Sequence, residues 1–252
     1  MNQNKVELLD YMGSDNSHAV AAWASTFFEL GIELPRNPKI RVDQIVDHIL
    51  SKSKKMRSIE DLLNYLADND HESPFRMSGF VFGMTTDIAT HIQKLKHAVI
   101  LEAENAESAK YKELKEDKFY LPEDWFDVVP DNKKNIKYLL GYPQEEYLDW
   151  FHALELYSEL GNKLYHEALK DLRPKLGDKR AKETARYFKT YNSQLNSVNK
   201  FSFAGVMNFY SKRTVSFAQE EIKNVATQMV KAIHEIPGEP FKQSLKAFKL
   251  YA

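Results

Sequence analysis

Residues 71–99 read HESPFRMSGFVFGMTTDIATHIQKLKHAV, and the period of their apolar side chains changes once along the way. Phe80, Phe82 and Met84 alternate with Val81 and Gly83, the two-residue period of a strand and the clearest strand pattern in the chain. From Ile88 the spacing becomes three or four, through Ile92, Leu95 and Val99, so a helix is predicted to start near Asp87. The proline-containing turn His71–Phe75 stands just before the strand. Turn, strand and helix follow one another within thirty residues.

Working outward, helical patterns dominate. Val6 to Asp10 alternates and reads as a short strand. Ser17 is a candidate N-cap for a helix carrying Ala19, Val20, Trp23 and Phe27. A turn at Leu34-Pro35-Arg36-Asn37-Pro38 leads to an amphipathic helix with Val42, Ile45, Val46, Ile49 and Leu50. Ser58 and Asp61 suggest a capping box before Leu62, Leu63, Tyr65 and Leu66. Residues 101–115, LEAENAESAKYKELK, would continue the preceding helix on propensity alone. The stretch 118–142, with Trp125, reads as a surface excursion. Tyr147, Leu148, Phe151, Leu154, Tyr157 and Leu160 mark a long helix, and another is predicted from about Lys179 to Tyr191. Ser202–Phe209 fits a strand or a helix start. Phe217, Ile222, Val225, Met229 and Ile233 form a C-terminal helical stripe, broken at Pro237-Gly238-Glu239-Pro240. With no repeat or linker, the expectation is one mostly helical α+β domain over residues 1–252.

Composition narrows the function. The 252 residues contain 35 basic and 36 acidic side chains, so nothing in the net charge of −1 draws the chain to nucleic acid or anionic lipid. Cysteine is absent, which removes disulfides, thiolate zinc sites and cysteine nucleophiles together. The N-terminus is too polar for a signal peptide, and Ala19–Phe28 is about half the length of a membrane span. A cytoplasmic protein with no membrane partner is expected. Among the basic residues Lys far outnumbers Arg, and no Arg lies between Arg76 and Arg173.

Most catalytic signatures are missing. No His pair stands at metal-binding helical spacing, and there is no P-loop, GxGxxG or GxSxG. What remains is a set of polar residues. His71 and Ser73 lie in the turn, Gln93, Lys96 and His97 on the helix after the strand, Ser108 and Lys110 beyond it, and Asn208 and Arg213 flank a Phe-Tyr pair. Cations with a turn Ser and His suit an anionic nucleotide and a planar ring. Each residue alone also fits an ordinary solvated or packed position.

At these residues the sequence resembles the flavin-dependent thymidylate synthases. Three blocks carry the resemblance: Val6–Asp15 followed by Ala21, Ala22 and Ser25; the HESPF turn, the strand Phe80-Val81-Phe82 and the helix to Lys96-His97; and Ala185-Arg186, Asn192, Met207-Asn208-Phe209, Arg213 and Ala218–Ile222. Segments 31–58 and 114–180 diverge. The resemblance implies a mostly helical single domain around a small antiparallel sheet, assembled as a homotetramer with active sites at subunit junctions. FAD would carry hydride from NADPH, methylenetetrahydrofolate would supply the carbon, and the pyrimidine deoxynucleotide monophosphate dUMP would become dTMP. By position, Arg213 and Ser108 would be catalytic, and Gln93, Lys96, Ser108, Lys110 and Arg213 would bind dUMP. Ser25, His71, Ser73, Lys96, His97 and Asn208 would hold FAD, and no metal is implied.

The sequence also departs from the family pattern. Lys96 and Lys110 stand for arginines, which exchanges a planar fork for a point charge. Ala98, Asn196, Ser202, Ala204 and Phe217 replace ligand-contacting residues, and Glu102, Glu104 and Glu107 place acids beside the expected phosphate cradle. Three readings stay open: a divergent thymidylate synthase, a flavoenzyme of the same fold acting on another pyrimidine nucleotide, for example by hydroxymethylation, or a non-catalytic binding or assembly protein.

Overall fold

The structure, a computed structural model, describes residues 3–24, 36–52, 56–96, 101–129 and 149–251. Four strands, β1 (Lys5–Met12), β2 (Gly79–Asp87), β3 (Leu101–Ala106) and β4 (Gln194–Ser202), form one sheet in the order β1-β2-β4-β3. Gly83 lies beside Leu9, while Asp87 donates its N–H to Asn4 further back along the chain. Lys200 pairs with Glu102, and Asn196 meets Glu107. Numbers rise on one strand as they fall on its neighbour, so the sheet is antiparallel and the fold is α+β, as expected.

The chain gathers into two compact units, with β2 and β4 running from one into the other. The larger unit comprises Lys5–Met84, Lys94–Asn105 and Val198–Ala252. Its core is a cluster of phenylalanines: Phe75, Phe80, Phe82, Phe201, Phe203, Phe209 and Phe241 are all fully buried. Burial of each such side chain contributes roughly 2 kcal/mol, and edge-on pairs such as Phe80–Phe241, with centroids 4.9 Å apart, fix their mutual orientation.

Helices α1 (Asp15–Ala22), α2 (Pro38–Lys52) and α3 (Ile59–Asp68) belong to this unit. The N-cap of α1 is Ser14 rather than Ser17; the two serines form a reciprocal capping box, Ser17 occupying its third helical position. Phe27 lies outside the described residues. Pro38 opens α2, where its missing N–H costs nothing. Ser58 caps α3 by accepting from the Asp61 N–H at 3.1 Å, while its own hydroxyl donates to the Asp61 carboxylate.

Helix α4 (Ile88–Leu95) starts where expected, with Asp87 accepting from the Thr90 N–H. Its orientation is the reverse of the apolar reading. Thr90, His91 and Lys94 are buried, whereas Ile92 and Leu95 of the apolar stripe are each 39% exposed. Val99 lies outside the described residues.

Residues 101–106 form β3 instead of prolonging the helix, and the segment beyond turns at Ser108. Pairing of a polar strand at the sheet edge outweighs helix propensity, which is only tenths of a kcal/mol per residue. Strand β4 carried no sequence signal, because two of its inward positions, Ser197 and Asn199, are polar while Val198 faces outward. At Ser202 the two alternatives resolve as helix: Ser202 ends β4 and caps α7 (Phe203–Arg213) through the Gly205 N–H. The C-terminal stripe forms α8 (Glu220–His234), but Phe217 is 89% exposed and lies outside it. A turn at Pro237–Pro240, with Gly238 at φ 81° and Glu239 at φ 47°, precedes the short helix α9 (Lys242–Ala247).

The smaller unit comprises Met1–Asn4, Thr85–Gln93 and Ala106–Ser197. Helix α5 (Trp150–Leu176) packs on α6 (Asp178–Ala185) around Tyr165, Leu169, Ala181 and Ala185. The helix predicted to Tyr191 stops at Ala185 and tightens into a 3-10 turn, Arg186–Phe188. That turn presses on Gly161 of α5: a Cβ there would lie 2.6 Å from the Phe188 carbonyl oxygen. Of the surface excursion, residues 118–129 are described. They hold a bridge between Phe119 and Ser193 and an exposed 3-10 turn, Glu123–Trp125.

Candidate functional site

Ser108 and Lys110 share one turn in the smaller unit. The Ser108 carbonyl accepts from the N–H groups of Tyr111 and Lys112, and its hydroxyl accepts from the Lys110 N–H at 3.4 Å. The Lys110 ammonium faces Glu183 of α6 at 3.6 Å and sits over the Tyr111 ring. Gln93, half-buried on α4, belongs to the same unit.

The larger unit holds the others. His71 and Ser73 are exposed neighbours in the turn before β2, where His71 meets the Tyr65 ring edge-on. Lys96 is exposed just past the end of α4. Asn208 and Arg213 both lie on α7, with Arg213 as its last residue. Ser25, His97 and Ala98 lie outside the described residues.

The three acids beside the expected phosphate cradle are each paired with a lysine. Glu102 pairs with Lys200 at 3.1 Å, Glu104 with Lys94 at 2.8 Å and Glu107 with Lys112 at 2.5 Å. Asn196 carries a structural load of its own: its side chain donates to Glu107 and accepts from the Thr85 hydroxyl at 2.8 Å.

Among the buried polar groups that the sequence reading missed are Lys94 and His18. Lys94 is 1% exposed, with its ammonium on Glu104 and, at 2.6 Å, on Asn199. Burial lowers its pKa against the opposing pull of Glu104. His18 is fully buried among Phe75, Phe203 and Phe241. Its Nδ1 and Nε2 each lie 2.8 Å from a hydroxyl, of Ser244 and Ser78 respectively. The Ser244 hydroxyl donates to Asp15, so it accepts from Nδ1–H, which leaves Nε2 to accept from Ser78. Desolvation lowers the His18 pKa to about 4, so the ring is neutral at pH 7. Neither residue belongs to a motif, and a single polar side chain inside a helical pattern carries no signal of burial; the run Thr90, His91, Lys94 at helical spacing is the one trace of an inward polar face.

Among the described residues no cluster of His, Asp and Glu could hold a metal ion, and no helix is long and apolar enough to cross a membrane.

Comparison with known proteins places these residues in context. The family described as thymidylate synthase complementing protein (Thy1) matches residues 7–237. A flavin-dependent thymidylate synthase of Thermosipho melanesiensis is 29% identical over 245 residues, covering 96% of this chain and 90% of its own. One from Pseudothermotoga lettingae is 30% identical over 236 residues, covering 92% and 85%. Among solved structures, the UMP/dUMP methylase PolB of Streptomyces cacaoi bound with 5-Br dUMP aligns with TM-score 0.69 at 22% identity, covering 100% of this chain and 96% of that one. The same enzyme bound with 5-Br UMP aligns at TM-score 0.68.

Proposed function

Because this chain belongs to the thymidylate synthase complementing (Thy1) family, we propose that it is a flavin-dependent methylase that converts dUMP to dTMP, using methylenetetrahydrofolate as carbon donor and NADPH as reductant. The match over residues 7–237 is the observation that carries this reading. FAD, when bound, relays hydride, chemistry the amino acids lack. In this reading His71, Ser73 and Lys96, exposed donors, together with the half-buried Asn208 would hold it.

In this reading Gln93, Lys96, Ser108 and Lys110 bind the nucleotide. Ser108 presents a hydroxyl in a turn already fixed by its own carbonyl, and Lys110 leaves Glu183 to meet the monophosphate. Arg213 faces the uracil ring and stabilises the negative charge that lets carbon 5 attack the incoming carbon, with no covalent enzyme nucleophile. Self-association as a homotetramer with active sites at subunit junctions belongs to this reading, and it would offer cover to Ile92 and Leu95, which α4 turns outward.

The test is release of tritium from dUMP labelled at carbon 5, with FAD, NADPH and methylenetetrahydrofolate present. Release is expected, dUMP is expected to raise the melting temperature, and Arg213→Ala is expected to abolish that rise. Protein that takes up no FAD and releases no tritium would sink the enzymatic reading. A second reading, methylation of UMP as well, is favoured by the likeness in fold to a UMP/dUMP methylase. A thermal shift with UMP matching that with dUMP supports it.

A further inference from the structure

The turn that bears Ser108 and Lys110 is tied down at both ends of its segment, within the smaller unit. At the near end, the Glu107 N–H donates to the Asn196 carbonyl at 2.8 Å, and the Asn196 side-chain amide returns to the Glu107 carboxylate at 3.2 Å. At the far end stands Asp117, in the left-handed region at φ 48°. A non-glycine residue keeps that conformation when its surroundings fix it. Its carboxylate takes Lys189 Nζ at 2.7 Å and His166 Nε2 at 2.8 Å.

Lys189 is the pivot of the far end. Its side chain is 5% exposed, and besides Asp117 it reaches the Asn162 side-chain oxygen at 2.6 Å and lies 4.6 Å from the centre of the Tyr165 ring. A lysine this buried with three partners is a rigid post, since each freedom of its long stem is already spent. Between the two ends, the Leu114 N–H donates to the Tyr165 hydroxyl. Ser108 and Lys110 thus sit on a segment whose ends are set before any ligand arrives.

We propose that Lys189 and Asp117 are positioning residues for nucleotide binding, clamping residues 107–118 so that Ser108 and Lys110 are held ready for the monophosphate. The assignment rests on the functional reading above. A segment left free would have to be ordered at the moment of binding, which weakens affinity and leaves the chemical step alone.

The test uses the FAD-loaded enzyme with dUMP and two variants, Lys189→Met and Asp117→Asn, the second keeping the shape of the side chain. Both are expected to raise the KM for dUMP about tenfold with kcat changed less than about twofold. Amide hydrogen exchange in 107–118 is expected to quicken in both variants and to slow again when dUMP is added. Unchanged KM in folded variants overturns the clamp, even if their melting temperatures fall, because a purely structural pair lowers stability without touching nucleotide affinity. Equal loss of kcat and kcat/KM also overturns it, since that pattern marks the transition state. Wild-type protein that binds neither dUMP nor UMP overturns the functional reading and this assignment with it; wild-type binding matched by the variants overturns the clamp alone.

Discussion

Lys94 and Glu104 face each other in the interior, and their energetics differ from those of the exposed pairs around them. A surface pair such as Lys5–Glu7 contributes at most about 1 kcal/mol. Removing one partner of a buried pair strands the other charge out of water, so Lys94→Met is expected to cost about 3–5 kcal/mol in urea unfolding. The double variant Lys94→Met with Glu104→Gln is expected to recover most of that loss, since neither charge is then stranded. A double variant as unstable as the single one would show that the ammonium contributes by packing alone. Residues of this kind mark the limit of sequence reading. Ser108 and Lys110 were singled out by the resemblance to a family, which works on residue identity and order along the chain. Lys94 and His18 were not, because one polar residue inside a helical pattern gives no hint of whether its partners, here Glu104, Asn199, Ser78 and Ser244, come from distant strands and helices.

Elements were legible where apolar side chains alone define the buried face. Strand β2 follows its Phe80, Phe82, Met84 alternation, and α8 follows Ile222, Val225, Met229 and Ile233, all buried as the stripe requires. Elements with polar inner faces were hidden or, in the case of α4, expected with the wrong face inward. Strand β4 buries Ser197 and Asn199, β3 has helix-forming composition, and α4 turns its apolar residues outward. Close approach between elements was equally invisible. Gly161 lies in the interior of α5, where Gly→Ala ordinarily stabilises a helix by up to about 1 kcal/mol. Here the added Cβ would meet the Phe188 carbonyl oxygen at 2.6 Å, a backbone atom with little room to yield. Gly161→Ala is therefore expected to destabilise, by about 1–3 kcal/mol, and to lower the thermal midpoint. A raised midpoint would mean that the turn Arg186–Phe188 shifts freely.

At the scale of the molecule, the near-balance of acids and bases conceals a pH dependence to which one buried side chain contributes. Unfolded, His18 binds its proton near pH 6.5; folded, burial postpones that until about pH 4. Between those values the unfolded chain holds more proton than the folded one, so acidification favours unfolding. The contribution is fully present above the unfolded value and disappears as pH falls through the folded one. From pH 7 to pH 5 it removes about 2 kcal/mol of stability. Asp15, linked to His18 through Ser244, acts with the opposite sign. Burial raises its pKa against the hydrogen bonds it accepts, so the folded state takes up its proton sooner and resists acid. His18→Gln keeps a donor and an acceptor for the two serines but removes the titration. The expected result is a urea midpoint that falls between pH 7 and pH 5 in the wild type and is flatter, by the equivalent of about one proton, in the variant. Equal slopes in the two proteins would place the acid sensitivity elsewhere and require Nε2 to be protonated in the folded state. That state would have to turn the Ser78 hydroxyl from donor to acceptor inside a core of phenylalanines, at the cost of desolvating its hydrogen unless another acceptor is found.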